Sequence, residues 1–187
     1  MERITLADRE MIERQIGRRP RGLSDISRRC SYGFPQVVRV HPVVDGKPFP
    51  TLFWLTCPWL SREIDHLEAA GGVRRMEELL ATDPELAAGL KMAEVAYIAE
   101  RVALLSSEEI MRLRDRGMLS SLSDRGIGGI SESRGLKCLH LHVAHALAAE
   151  NPIGEAILDE LGASECPRNE VICSALERAE QTEQINR

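Results

Sequence analysis

Residues Gly135 to Asn151 read GLKCLHLHVAHALAAEN, and one thiol and three imidazoles, Cys138, His140, His142 and His145, fall within eight positions of it. A helix turning about 100° per residue sets His142 roughly 40° to one side of Cys138 and His145 roughly 20° to the other, so the three share a narrow stripe. Leu136, Leu139, Leu141, Val143, Ala144, Leu147 and Ala148 fill most of the remaining circumference. A helix apolar nearly all round is a buried one. A buried stripe of Cys, His and His has to be satisfied by hydrogen bonds, a metal or a ligand. Either these side chains ligate something, or each histidine bonds a neighbouring carbonyl inside the core. His140 points into the apolar face, where a core role is the simpler reading. The stretch therefore predicts a buried central helix on which the rest of the chain packs.

The composition supports that view. The chain has 187 residues, 43% hydrophobic and 28% charged, with 4% aromatic, which suits one domain with a core of Leu, Ile, Val, Ala and Met and favours helices. No apolar run reaches the length of a membrane span, and MERITLADREMIERQ mixes acids and bases unlike a signal peptide, so a cytoplasmic location without membrane association is expected. Cys30, Cys57, Cys138, Cys166 and Cys173 form an odd, scattered set that argues against a disulfide framework and leaves thiols available as ligands. The net charge of −5 is unevenly spread, since residues 1–41 hold nine Lys or Arg against five Asp or Glu. Arg14, Arg18, Arg19, Arg21, Arg28 and Arg29 could meet phosphates. No aromatic stacking set is interleaved with them, so a solvated or self-paired basic face is the stronger reading than a nucleic-acid site.

Leu6 to Ile16 reads as an amphipathic helix closed by Gly17 and Pro20, followed by an irregular segment to Arg29. Strands near Gln36 to His41 and Thr51 to Thr56, broken by Asp45-Gly46, make an antiparallel hairpin whose open end brings Cys30 toward Cys57. Pro58 suits a first helical position, with Cys57 as the cap of a helix to about Ala70. A thiol there is expected to have a lowered pKa, which marks Cys57 for ligation or redox chemistry. Further helices are expected over Val73 to Ala81 and from Pro84 to about Leu105, where Leu86, Leu90, Ala93 and Tyr97 form a packing stripe. Ser106 and Glu109 have capping-box spacing. In the loop after Asp115, Gly126, Gly128 and Gly129 make either an anion nest or a plain connector. Asn151 and Pro152 cap a short helix to Leu161, and Cys166-Pro167 opens a last amphipathic helix. Cys166 and Cys173 would share a face of it, as a second site or as incidental buried thiols. The expected fold is α+β, mainly α, an N-terminal β-hairpin packed on about six to eight helices. It divides into an Arg-rich helix and arm (1–27), a core domain (28–162) and a C-terminal helix and tail (163–187).

Several segments resemble a bacterial family catalogued as domain of unknown function 501: RCSYGFP (Arg29 to Pro35), DGKPFPTLFWLTCP (Asp45 to Pro58), LEAAG (Leu67 to Gly71), GIGGI (Gly126 to Ile130), KCLHLHVAHALA (Lys137 to Ala148) and NPIG (Asn151 to Gly154). The resemblance implies family cysteines at Cys30, Cys57 and Cys138 and histidines at His140 and His145. It implies no reaction, and it covers neither Cys166 nor Cys173.

Three thiolates and an imidazole make a closed tetrahedral zinc site, and three thiolates can hold a four-iron cluster with one iron open. The expectation is a metal-centre protein, zinc or iron–sulfur, with Cys30, Cys57 and Cys138 as ligands and His142 or His145 as the fourth. In a catalytic version His140 or the remaining histidine moves protons for a small-molecule substrate. The alternative is a non-enzymatic helical protein binding a protein or nucleic-acid partner, its Cys/His set being structural. Thiol redox chemistry at Cys57 is the third reading.

Overall fold

Thr5 starts the first helix, α1 (Leu6–Ile16), with a reciprocal cap: its hydroxyl accepts from the Asp8 amide at 3.1 Å, and the Asp8 carboxylate accepts from the Thr5 amide at 2.9 Å. Gly17, at φ 68°, closes it in the left-handed region that a residue without Cβ enters freely. The computed structural model to which these elements belong describes residues 2–130 and 135–185, with side chains through residue 178.

Strands β1 (Leu23–Arg29), β2 (Pro35–Val40) and β5 (Phe53–Leu55) form an antiparallel sheet in the order β1-β2-β5. The paired strands β2 and β5 confirm the expected hairpin, with Val37 opposite Leu55 and Arg39 opposite Phe53. Between them a smaller arm, β3 (Val43–Val44) and β4 (Lys47–Pro48), carries the Asp45-Gly46 turn, whose φ values of 52° and 72° are those a tight two-residue hairpin needs. Strand β1 occupies the segment expected to be irregular. Its pairing with β2 shifts register three times, and the alternation of its burial breaks at the adjacent buried Asp25 and Ile26, so no two-residue period marks it in the sequence. What holds it is β2 and a buried ion pair, Arg39 donating to Asp25 at 2.7 and 2.9 Å.

Helices α2 (Pro58–Ala69), α3 (Gly72–Thr82), α4 (Pro84–Ala103), α5 (Ser107–Asp115), the short α6 (Ser120–Ser123), α7 (Leu139–Ala148), α8 (Pro152–Leu161) and α9 (Ile172–Ile185) complete the described fold, which is α+β and mainly helical. Val37, Leu52 and Leu55 of the sheet side meet Leu60, Ile64, Leu139, Val143, Ile153 and Ile157 in the main core. The opposite sheet face, Ile26, Val38 and Val40, is covered by Ile12 of α1. Helix α7 is central, as its apolar circumference requires. Gly154 lets α8 press against it, because a Cβ there would land on the His142 carbonyl oxygen. No helix of the described residues is long and apolar enough to cross a membrane.

Two boundaries differ from expectation in ways that matter chemically. Cys138 has extended backbone (φ −167°, ψ 158°) and precedes α7, so it does not ride the helical stripe with His142 and His145. Cys166 lies before α9, so it shares no helix face with Cys173. The glycine loop packs as a connector: a short turn at Ile127–Gly129 lies on α7, with the Gly126 amide taken by the Ile130 carbonyl and the Lys137 ammonium 3.2 Å from the Gly128 carbonyl. Residues 131–134 of that loop lie outside the described residues.

Arg101 is the largest fully buried side chain, and it pins this loop. Its guanidinium donates to the carbonyls of Leu122 (2.5 and 2.8 Å), Pro50 (2.8 Å), Gly126 (3.3 Å) and Arg125, and stands over the Tyr97 ring. A planar five-donor fork can satisfy several carbonyls at once, which an ammonium cannot. Replacing Arg101→Met takes the donor from all of these carbonyls, of which that of Leu122 is buried, at about 1–3 kcal/mol for each acceptor left unpaired. The expected outcome is a loss of at least about 3 kcal/mol in urea unfolding, with Arg101→Lys recovering little of it.

Candidate metal centre

Helix α2 ends beside the start of α7, and their junction gathers a set of ligand-type atoms. Glu68, the last residue but one of α2, extends its carboxylate across to Cys138 and His140. Among the described residues these three are the set of Cys, His and acidic side chains whose donor atoms all lie within 4.8 Å of one another. Glu68 Oε1 accepts from the Leu139 amide at 2.5 Å and lies 3.1 Å from His140 Nδ1. The other ring nitrogen, Nε2, is 3.3 Å from the Ser61 carbonyl and 3.4 Å from Asp65 Oδ1. His140 is therefore half-buried against α2 instead of in the apolar core. Burial opposes its charge, but hydrogen bonding to Cys138 and the Glu68 carboxylate outweighs this and pushes its pKa up to about 9.

The expected ligands do not all meet here. Cys57 caps α2 as foreseen, yet eleven residues at about 1.5 Å rise put it roughly 16 Å from Glu68, outside any common coordination sphere. Nor does it fit the expected reactive thiol, because burial pushes Cys57 up to about 12 and overrides the helix start. Cys30 and Cys57 do share the open end of the hairpin, as the pairing implied: the Cys30 amide donates to Phe34 and the Cys57 amide to Gln36. Cys166 and Cys173 approach the same end. Tyr32 donates to the Cys166 carbonyl at 2.9 Å, and Gln15 Nε2 lies 2.8 Å from the Pro35 carbonyl and 3.2 Å from Cys173 Sγ.

His142 and His145 are occupied elsewhere. Asn151, fully buried, accepts from the Gly154 amide through Oδ1 at 2.9 Å. That fixes the amide's orientation and turns Nδ2 toward both rings, 3.3 Å from His142 Nδ1 and 3.1 Å from His145 Nδ1. An NH₂ group can only donate, so both Nδ1 atoms are unprotonated acceptors and both rings are neutral. His145 is further clasped by Phe53, stacked at 5.5 Å, and the edge of Tyr97 at 5.0 Å. Burial lowers both histidines to about 4.

Glu68 is the site residue the sequence reading passed over. A signal was present: Ser61, Asp65 and Glu68 fall at i, i+4 and i+7, one face of α2. What no spacing announced was that this face meets Cys138 across nearly seventy residues of chain.

Two outcomes follow from these charges. Because His142 and His145 titrate below the ordinary value of about 6.5, their stabilisation is complete above that pH and is lost as pH falls toward 4. Urea midpoints should decline from pH 6.5 to 5, before most carboxylates titrate; an unchanging midpoint would refute neutral, buried rings. His140 behaves oppositely, its stabilisation being complete below about 6.5 and lost as pH rises through about 9. In Glu68→Gln its pKa, followed by NMR, should move down toward an ordinary histidine.

No curated protein and no solved structure matches the chain. Residues 26–159, which contain Glu68, Cys138, His140 and the Asn151 clamp, match the family described as protein of unknown function (DUF501). On that match over most of its length, the chain belongs to this family.

Proposed function

We propose that this protein is a metal-centre protein in which Glu68, Cys138 and His140 hold one divalent ion. The observation that carries the reading is the convergence of one sulfur, one nitrogen and one oxygen donor, from the end of α2, the start of α7 and the residue before it, within 4.8 Å. Mixed donors of this kind suit zinc or ferrous iron, and three protein ligands leave a position for water or substrate. The 3.1 Å between His140 Nδ1 and Glu68 Oε1 suits two ligands of a single ion. Nε2 then faces Ser61 and Asp65, the outer partners that orient a ligating imidazole. A four-iron cluster asks for three thiolates in one sphere, and this group has one, so a mononuclear ion is the better-supported choice. Such an ion, when bound, supplies Lewis acidity to a small-molecule substrate at the open position. His140, foreseen as a proton carrier, serves here as a ligand. The five free cysteines accord with a reducing, cytoplasmic setting.

One observation favours a second reading. His140, raised to about 9 between the Cys138 thiol and the Glu68 carboxylate, forms with them a thiol–imidazole–carboxylate series, an arrangement suited to nucleophilic thiol chemistry without metal. Elemental analysis of protein purified without oxygen separates the two. Stoichiometric zinc or iron, retained in Cys30→Ser and lost in Cys138→Ser and in Glu68→Gln, is the expected result. Metal-free protein whose Cys138 is alkylated much faster than free cysteine, with that advantage lost in His140→Gln, would favour the nucleophile. Metal-free protein with a slow Cys138 would remove both readings.

A further inference from the structure

Part of the positive charge near the N-terminus is spent internally. Arg29 binds Glu2 and Asp8, and Arg39 binds Asp25 and Glu100. One part of it faces a groove instead. Between the chain leaving α1 and the β3–β4 arm lies a cavity of about 400 Å³, lined by Arg18, Arg21, Lys47, Phe49 and Trp54. Its single carboxylate, Asp45, accepts from Arg21 at 3.1 Å, but both side chains are about 70% exposed, so solvent screens the pair and three cations still face the space. Trp54 sits on β5 between Phe53 and Leu55, and since strand neighbours alternate, it turns away from the main core they fill. The Arg18 guanidinium stands 4.4 Å from the centre of its ring. Gly22, at φ 68°, holds the Arg18-to-Gly22 strap so close to the arm that a Cβ would collide with Val44, which presents Arg18 and Arg21 at the rim.

Aromatic faces beside fixed cations recognise ligands that couple a flat ring to a negative charge. The volume falls within the roughly 300–1,000 Å³ of small-ligand sites. We infer that this groove binds a nucleotide unit, its base stacked against Trp54, Phe49 and the Arg18 guanidinium and its phosphate met by Arg21 and Lys47. The unit belongs either to a free nucleotide or to a single strand of RNA or DNA. This inference is independent of the metal centre.

The test uses the full chain, with its two tryptophans as reporters, titrated in parallel with AMP, an oligouridylate of about ten nucleotides and inorganic pyrophosphate. Saturable binding of AMP or of the oligonucleotide is expected, with quenching of Trp54 emission and weakening by added salt. Trp54→Phe should abolish the quench, leaving the emission of Trp59, 9% exposed in the main core. Arg18→Ala, Arg21→Ala and Lys47→Ala together should weaken binding at least about tenfold while thermal unfolding stays within a few degrees of the parent, because these changes remove exposed charge. AMP binding identifies a free nucleotide, and oligonucleotide binding without AMP identifies a strand. The inference is overturned by the absence of saturable binding to both, by binding that the triple substitution leaves unchanged, or by pyrophosphate binding as tightly as either without a quench.

Discussion

The amide of Asn151 is the point on which the central packing depends. One side-chain oxygen caps α8 through the Gly154 amide while one NH₂ group serves two imidazoles on α7. Every polar atom in that exchange is buried, so none can turn to water for a substitute partner. The clamp fixes the rotation of α7 against α8, and with it the direction in which the start of α7 points Cys138 and His140. It also sets two of the three histidines in one short helix apart from the third. Their Nδ1 lone pairs are already engaged, and deep burial makes the charged ring costly.

His140 sits two residues before His142, yet its environment reverses the net shift of the ring. Rotation by about 200° takes it out of the sheet-side core and against α2. There Glu68 and Asp65 supply negative charge, and the same kind of ring is held protonated. Leu139, whose amide donates to Glu68 and whose side chain is fully buried, ties the carboxylate's position to the core. A carboxylate supported in this way is held in place beside Cys138 and His140.

The family match ends at residue 159, while this chain continues into a segment that carries Cys166, Cys173 and α9. That segment packs back on the open end of the hairpin through Tyr32, Gln15 and Gln36. The half-buried Cys30 and the buried Cys57 thus share that end with the buried Cys166 and Cys173. The hairpin geometry that promised to unite the cysteines was read correctly. Cys166 and Cys173 joined that end as well, which no short-range signal announced.

Much of the fold was legible locally. Caps at Thr5, Asp83, Ser106 and Asn151, the prolines opening α2, α4 and α8, and the Asp45-Gly46 turn each act over a few residues, so their signals survive in sequence. The apolar circumference of residues 139–148 likewise determined that this helix is buried. Strand β1 was not legible, because its place rests on bulged pairing and the distant Arg39. Nor was Trp54 beside Arg18, or Glu68 beside Cys138 and His140, since both depend on where separate elements cross. Short-range sterics and hydrogen bonding write their terms into neighbouring residues. The chemistry of a site is set by contacts between residues far apart in the chain, and only the packed tertiary structure decides those.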